Sequence, residues 1–451
     1  MSHKVVVVGA GIAGLGAAYA LQQAGCHVTV LEQSARVGGR MQTDSHQGFT
    51  WDTGAQFMLK TYYHMQQLMG ELGLRMASEP IPSVQAIALP DGRLRYGDTT
   101  SPMAFLGHPQ IPWREKLRAY KLFVTAWRHP SIRNYHAPEL TAAIDTESLR
   151  TWGDREIGRE AVDLFLSLPT STLFFWTAEE TPWWFPAAFL AMAAEYRVVV
   201  PEGGMGVVPQ ALARRLQVQV KTAVQRVEPT RTGGAVVRTN HGDMEADRVV
   251  IATPAPIALA LLEHPEALIG KGRTDYLASA RYVRNTTTAA AYAQAPERKA
   301  YGVGFPLSLG GPLAAIGWDH LKGSDRAPAG AGIGVLMPTH TQSQALWARS
   351  DEEVGAELVG AVERYYPGSR SGALFHQVRR WPFAIPVMHP GRYRALASVL
   401  GAGPLPGSPV FLCGDYLMGA CTEQALATGW RAAREVLLSL GSAVPPSLAA
   451  V

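Results

Sequence analysis

The chain has 451 residues, 47% of them hydrophobic and 17% charged, enough for two or three interleaved units around a large core and unlike a disordered or fibrous protein. Net charge is +4 and the 41 Lys and Arg form no run, which argues against nucleic acid as a partner and for small molecules. Cys26, Cys413 and Cys421 make neither a disulfide framework nor a CxxC metal pair, so a reducing cytoplasm is the expected setting.

The first strand begins at Lys4, so no signal peptide is expected, and no apolar run approaches the roughly 18 residues of a membrane span. "KVVVVGAGIAGLGAAYALQQAG" reads as a strand, a glycine turn and an alanine-rich helix closing at Gly25, and "HVTVLE" as a second strand, so a βαβ unit is predicted. Within "GAGIAG", Gly9 permits the tight turn, Gly11 lets backbone approach a pyrophosphate, and Gly14 lets the helix pack on the strand. Glu32 ends the second strand about 20 residues on, placed to accept from ribose hydroxyls and to repel a 2′-phosphate. The following "EQSARVGGRMQT" asks for more than NAD has to hold. Gly38 and Gly39 offer backbone N–H groups to a second anionic or carbonyl surface, and Arg40 adds a planar cation suited to phosphate. "DTGAQF", residues 52–57, brings further flexible backbone to the same crevice.

From about residue 58 to 195 the pattern becomes helical, broken by Pro and by aromatic clusters. Phe174, Phe175, Trp176, Trp183, Trp184, Phe185 and Phe189 admit three readings: core, the lining of a channel for a flat or greasy substrate, or contact with a membrane surface. "VVVPEGGMGVVPQALARRL" and the short β-branched strands ending in "RVVIAT" return the chain to the nucleotide-binding unit. A second mixed segment follows from about 257 to 379. In it, "GAGIGV" lacks both the third spaced glycine and a following helix, so no second dinucleotide site is expected. "VFLCGDYLMGACTEQALATGWRAAREVL" then supplies a last strand, a loop and a long helix. The histidines show no ligand spacing, and no Ser-His-Asp arrangement is legible, so neither a metal nor a triad is expected.

GxGxxG, the strand-end Glu32, "RVGGR", "DTGAQF" and "CGDY" before a final helix together resemble the FAD-containing amine oxidase superfamily. That superfamily includes monoamine and polyamine oxidases, protoporphyrinogen oxidases, and squalene and carotenoid desaturases. The resemblance implies an α/β fold: a Rossmann-like FAD-binding domain from 1–60, 196–256 and 380–451, interleaved with a mixed α+β substrate domain from 61–195 and 257–379. FAD would lie extended, with Val224 against the adenine and the flavin at the domain border. The expected cofactor-binding set is Gly9, Gly11, Gly14, Glu32, Arg36, Gly39, Arg40, Gly54, Ala55, Val224, Gly414, Asp415 and Thr422. Asp415 would meet ribityl or phosphate-side hydroxyls. The helix from Thr422 would aim its positive end at the flavin edge that gains charge on reduction.

Two departures bear on the branch. Amine oxidases commonly carry a lysine on a substrate-domain strand, and "YVRNTTTAAAYAQ" has none; an aromatic commonly precedes the Thr422 position, and here it is Cys421. "RRWPFAIPVMHPGRY" instead resembles a Trp-x-x-Ala-x-Pro segment of protoporphyrinogen oxidase-like and desaturase-like members. Gln56, Phe57, Phe185 and Trp381 are the expected substrate-lining residues. The implied function is oxidation of a C–N or C–C unit of a hydrophobic or aromatic small molecule by hydride transfer to flavin, with oxygen as reoxidant. The alternatives are a polyene desaturase or isomerase using another acceptor, and a prenyl carrier without catalysis.

Overall fold

Val5 to Val8 are buried on both faces, as strands of a parallel sheet covered by helices must be. The computed structural model, which describes residues 3–98 and 101–449, places this strand, Lys4–Val8, at the centre of a five-stranded parallel sheet. His27–Leu31 and Gln217–Gln219 lie to one side, Arg248–Ile251 and Val410–Leu412 to the other. The five strands come from three distant stretches of chain, so the sheet forms only when all three are folded. The helix Ile12–Gln23 is buried around nearly its whole circumference. It lies against the final helix, Thr422–Ser439, at a distance that glycine sets: a Cβ on Gly429 would sit 2.2 Å from the Ala13 carbonyl oxygen.

A second, mixed sheet has seven strands in the order Ala373–Pro386, Tyr282–Tyr292, Gly332–Pro338, Leu313–Gly317, Gly302–Gly304, Gln85–Ala88 and Leu94–Gly97. Gly332–Pro338 takes up the "GAGIGV" stretch as an inner antiparallel strand. Ala373–Pro386 stays in this sheet for its full length, paired with Tyr282–Tyr292 from Ala373 to Pro386, and so runs across position 380, where the sequence reading changes domain. A three-stranded meander, Val224–Pro229, Ala235–Thr239 and Gly242–Ala246, packs beside the parallel sheet, and short helices between residues 102 and 192 form a further layer. The α/β class with a parallel and a mixed sheet agrees with the sequence-based expectation. Among the described residues, no helix is long and apolar enough to cross a membrane.

Candidate functional site

Three glycine segments stack on one another at the carboxyl ends of the parallel strands. Gly9 has φ +105° and donates to the Leu31 carbonyl at 2.8 Å. A Cβ on Gly14 would lie 2.1 Å from the Gly9 oxygen, whereas one on Gly11 would meet nothing within 4 Å because it faces the open crevice. Gly38 and Gly39, at φ +105° and +55°, form the second segment, tied to the first by Gly38 N–H to the Ala10 carbonyl at 2.8 Å. The third is Gly54, whose Cβ would fall 2.1 Å from the Arg40 oxygen that accepts from Ala55 N–H. The helix Ile12–Gln23 has no side-chain cap and no acid in its first turn, so its N–H groups and positive dipole end face the crevice.

Glu32 is engaged on both oxygens: one accepts from Ala10 N–H at 2.9 Å, the other from the Ser34 N–H and hydroxyl at 2.9 and 2.6 Å. The chain passes this corner again as Thr222 N–H donates to the Glu32 carbonyl, and Val224 follows, half-buried, at the start of its strand. Arg36 is engaged at a surface hairpin, where it holds Asp44 at 2.5 Å and the Thr43 carbonyl at 3.0 Å. Arg40 and Asp415, both expected at the cofactor, are paired with each other at 2.6 Å, and Arg40 also donates to the Ala384 carbonyl. Burial alone would lower the guanidinium pKa; Asp415 outweighs it and holds Arg40 firmly charged. Gly414, at φ +147°, precedes Asp415, and the final helix begins at Thr422 with no side-chain cap. The hydroxyls of Thr422 and of Thr253, beside Gly9, are buried without a partner. Open helix N-termini, glycine backbone and orphaned hydroxyls around one crevice fit an extended dinucleotide.

A cavity of about 720 Å³ runs outward from this crevice. Gly54, Ala55, Cys421 and Thr422 belong to its inner wall, joined by Gln56 and Phe57. Gln56 is held by its amide, which donates to the Asp52 and Gly54 carbonyls at 2.6 and 3.1 Å. Phe185 lines the cavity edge-on to Trp176, their ring centres 5.6 Å apart. Of the aromatic cluster, Phe174, Phe175, Trp176, Trp184, Phe185 and Phe189 all line this space, and Phe175, Trp176 and Trp184 are buried members of the core, so the cluster is core and channel wall at once. Trp183 instead packs at a tilt against Trp152 and donates to the Ile144 carbonyl. Trp381 is the exception among the expected lining residues. Its strand contributes Ile385 to the cavity, while the Trp381 indole N–H donates to the Thr53 carbonyl at 2.9 Å and its ring lies under Arg379. Burial pushes the Cys421 thiol up to about 12, so the residue before the final helix is neutral.

Two buried charge clusters went unread in the sequence. Lys322, fully buried, lies 2.8 Å from Asp52, 2.9 Å from Asp319 and 3.4 Å from the Gln56 amide oxygen, with Arg326 3.3 Å from Asp52. Burial alone would raise the Asp52 carboxyl, and Lys322 and Arg326 hold it below its usual range. The second cluster is Glu423 with His64 and His136, each with a ring nitrogen 2.9 Å from the carboxylate. Glu423 also accepts the His64 and Met65 backbone N–H groups. Burial would raise its pKa, and these partners bring it down to about 2. Its donor atoms and those of the two histidines lie within 4.8 Å of one another, an arrangement that no spacing motif announces because three separate segments build it.

A Rossmann-type crevice opening directly into an apolar cavity defines a class of flavoprotein, and the family pattern agrees with it. The chain belongs to the flavin-containing amine oxidoreductases: the pattern described as "Flavin containing amine oxidoreductase" matches residues 12–437. It is an FAD-dependent oxidoreductase of that family. It is similar to protoporphyrinogen oxidase 2 of Arabidopsis thaliana, 30% identical over 164 residues, which is 36% of this chain and 31% of that protein. An L-amino-acid oxidase of Siganus canaliculatus is 26% identical over 383 residues, 78% of this chain and 68% of the relative. In three dimensions it resembles cyclohexylamine oxidase from Brevibacterium oxydans, with a TM-score of 0.78, 19% identity, and coverage of 98% of this chain and 100% of that one. At that identity the likeness shows the fold.

Proposed function

We propose that the protein oxidises a C–N or C–C unit of an uncharged, hydrophobic or aromatic small molecule held in the 720 Å³ cavity beside the flavin crevice. FAD, when bound, supplies the hydride acceptor. The chain's part is to hold and orient. Gly9, Gly11, Gly14, Gly39, Gly54 and Ala55 give the close backbone approach, Glu32 fixes the turn at the ribose end, and Arg40 with Asp415 closes the far side. The uncapped N-terminus at Ile12, with no acid in its first turn, offers positive potential where negative charge lies, and the N-terminus at Thr422 offers free N–H groups, its charge offset by Glu423 in the same turn.

The observation that carries the substrate class is the cavity lining. Among the described residues it includes no Asp, Glu, Arg or His, and Lys116 is its one charged side chain. A zwitterionic amino acid needs a cation for its carboxylate, and a polyamine needs acids for its ammonium groups, because a buried unpaired charge costs several kcal/mol. A wide apolar pocket instead takes its positioning energy from a large apolar substrate, at roughly 25 cal/mol per Å² buried. The test is an anaerobic screen of neutral aromatic and isoprenoid compounds, porphyrinogens, amines and amino acids, followed by bleaching of the flavin spectrum. Rapid bleaching by a neutral hydrophobic compound is the expected result; fast reduction by amino acids or polyamines alone overturns the reading.

A further inference from the structure

The outer end of the cavity leads to an unusual surface. Leu106, Leu117, Tyr120 and Phe123 line the cavity and are at the same time exposed to solvent, so its mouth opens among them. They belong to a larger apolar face. In the helix Tyr120–Arg128, Leu122, Thr125 and Ala126 point into the protein, while Tyr120, Phe123, Val124 and Trp127, at i, i+3, i+4 and i+7, point out. The preceding helix Trp113–Arg118 turns Trp113 and Leu117 to the same solvent, and Met103 is exposed nearby in sequence. Trp127 is 81% exposed and Trp113 65%. Single exposed apolar residues are ordinary, but a contiguous set around a cavity mouth marks a surface that something covers.

Charge says what covers it. Residues 101–138 hold Arg114, Lys116, Arg118, Lys121, Arg128 and Arg133 but one acid, Glu115, so this stretch alone carries more positive charge than the net +4 of the whole chain. Glu115 is buried and accepts from Ala161 N–H, and Lys121 is taken up by Glu156. Arg114, Arg118, Arg128 and Arg133 are exposed, and Arg114 lies over the Trp113 ring. Tryptophans and leucines flanked by arginines match the boundary between acyl chains and anionic headgroups. A second copy of the chain matches poorly, because a two-fold contact through this face would set the arginines of one copy against those of the other.

We infer that the face formed by residues 103–128 seats the protein on an anionic lipid bilayer without crossing it, and that the cavity takes its substrate from the membrane through the mouth at Leu117, Tyr120 and Phe123. The route of the substrate rests on the function proposed above; the docking does not. The test is flotation of the FAD-loaded protein with vesicles of phosphatidylglycerol and phosphatidylcholine, beside vesicles of phosphatidylcholine alone, at low and high salt. Binding to the anionic vesicles, weakened by salt, is expected. The double variant Trp113→Asp/Trp127→Asp, altered only at exposed positions outside the cavity, should bind at least about tenfold more weakly while keeping its flavin content and Tm. No binding by the wild-type protein, or equal binding by the folded variant, overturns the inference. A wild-type dimer that the variant turns into a monomer, with no vesicle binding by either, overturns it too and assigns the face to a second copy. Vesicle binding that persists when no hydrophobic compound reduces the flavin leaves the docking surface standing and removes the proposed substrate.

Discussion

Glu32 shows how one side chain acts through its neighbours. Its carboxylate holds the Ala10 N–H in the glycine turn and caps Ser34, so it fixes the turn geometry at the point where a ribose would sit. Hydrogen bonds to a charged group contribute about 1.5 to 3 kcal/mol, so Glu32→Ala should weaken FAD binding by roughly tenfold to a hundredfold in a fluorescence titration of the apoprotein. Glu423 makes a prediction in pH. Its folded pKa of about 2 lies below the ordinary 4.5, so the unfolded chain binds the proton first as acid is added. The stabilisation is full above pH 4.5 and is lost as pH falls towards 2, on the order of 3 kcal/mol for that shift. Denaturant melts across this window should show a steep acid limb that Glu423→Gln flattens. An unchanged limb in the variant would assign acid sensitivity to other carboxylates.

At the scale of elements, two contacts join the mixed sheet and the connection between its strands Leu313–Gly317 and Gly332–Pro338 to residues 52–57, which carry both cofactor-side Gly54 and Ala55 and cavity-side Gln56 and Phe57. One is Lys322, which balances Asp52 and Asp319 where no water can. Lys322→Met leaves two buried carboxylates with Arg326 alone, and removal of one partner from such a cluster costs about 3 to 5 kcal/mol. A fall in Tm with loss of bound flavin is expected, whereas an unchanged melting curve would show that Arg326 suffices. The other is Trp381, whose indole holds the Thr53 carbonyl. Trp381→Phe keeps most of the packing and removes a hydrogen bond of about 1 kcal/mol, so flavin content should drop modestly. Trp381→Ala should reduce flavin content and the rate of flavin reduction together. A variant that binds FAD fully but reacts slowly would place Trp381 against the substrate.

For the molecule as a whole, selectivity follows from the cavity's shape and lack of charge. A small amine needs tight walls to reach a near-attack geometry, and misplacement by about 1 Å can cost on the order of a hundredfold in rate. Benzylamine and short polyamines should therefore reduce the flavin slowly in stopped-flow mixing, and a larger, flatter, neutral compound faster. Oxidase-like rates with benzylamine would contradict this. The same cavity explains why aromatics crowd residues 174–189: they wall a space between helices and the mixed sheet, and ring-to-ring contacts such as Phe174 on Trp176 keep it open in outline without polar groups.

The sequence by itself determined the parts that local backbone chemistry dictates. The glycine turns at Gly9–Gly14 and Gly38–Gly39, the strand-end Glu32, and the strand, loop and helix around Asp415 and Thr422 are legible because each needs particular residues at short spacing. Tertiary structure alone decided how distant segments meet. Lys322 reaches Asp52 across 270 positions, Glu423 gathers His64 and His136 from far upstream, and Arg40 spends part of its charge on Asp415. Trp381 left the cavity for a similar reason: its register with Asn285 in the mixed sheet directs its indole to Thr53. The outward apolar face of Tyr120–Arg128 likewise escaped the sequence, since an amphipathic helix ordinarily turns its apolar side inward and only the fold leaves Tyr120, Phe123, Val124 and Trp127 uncovered.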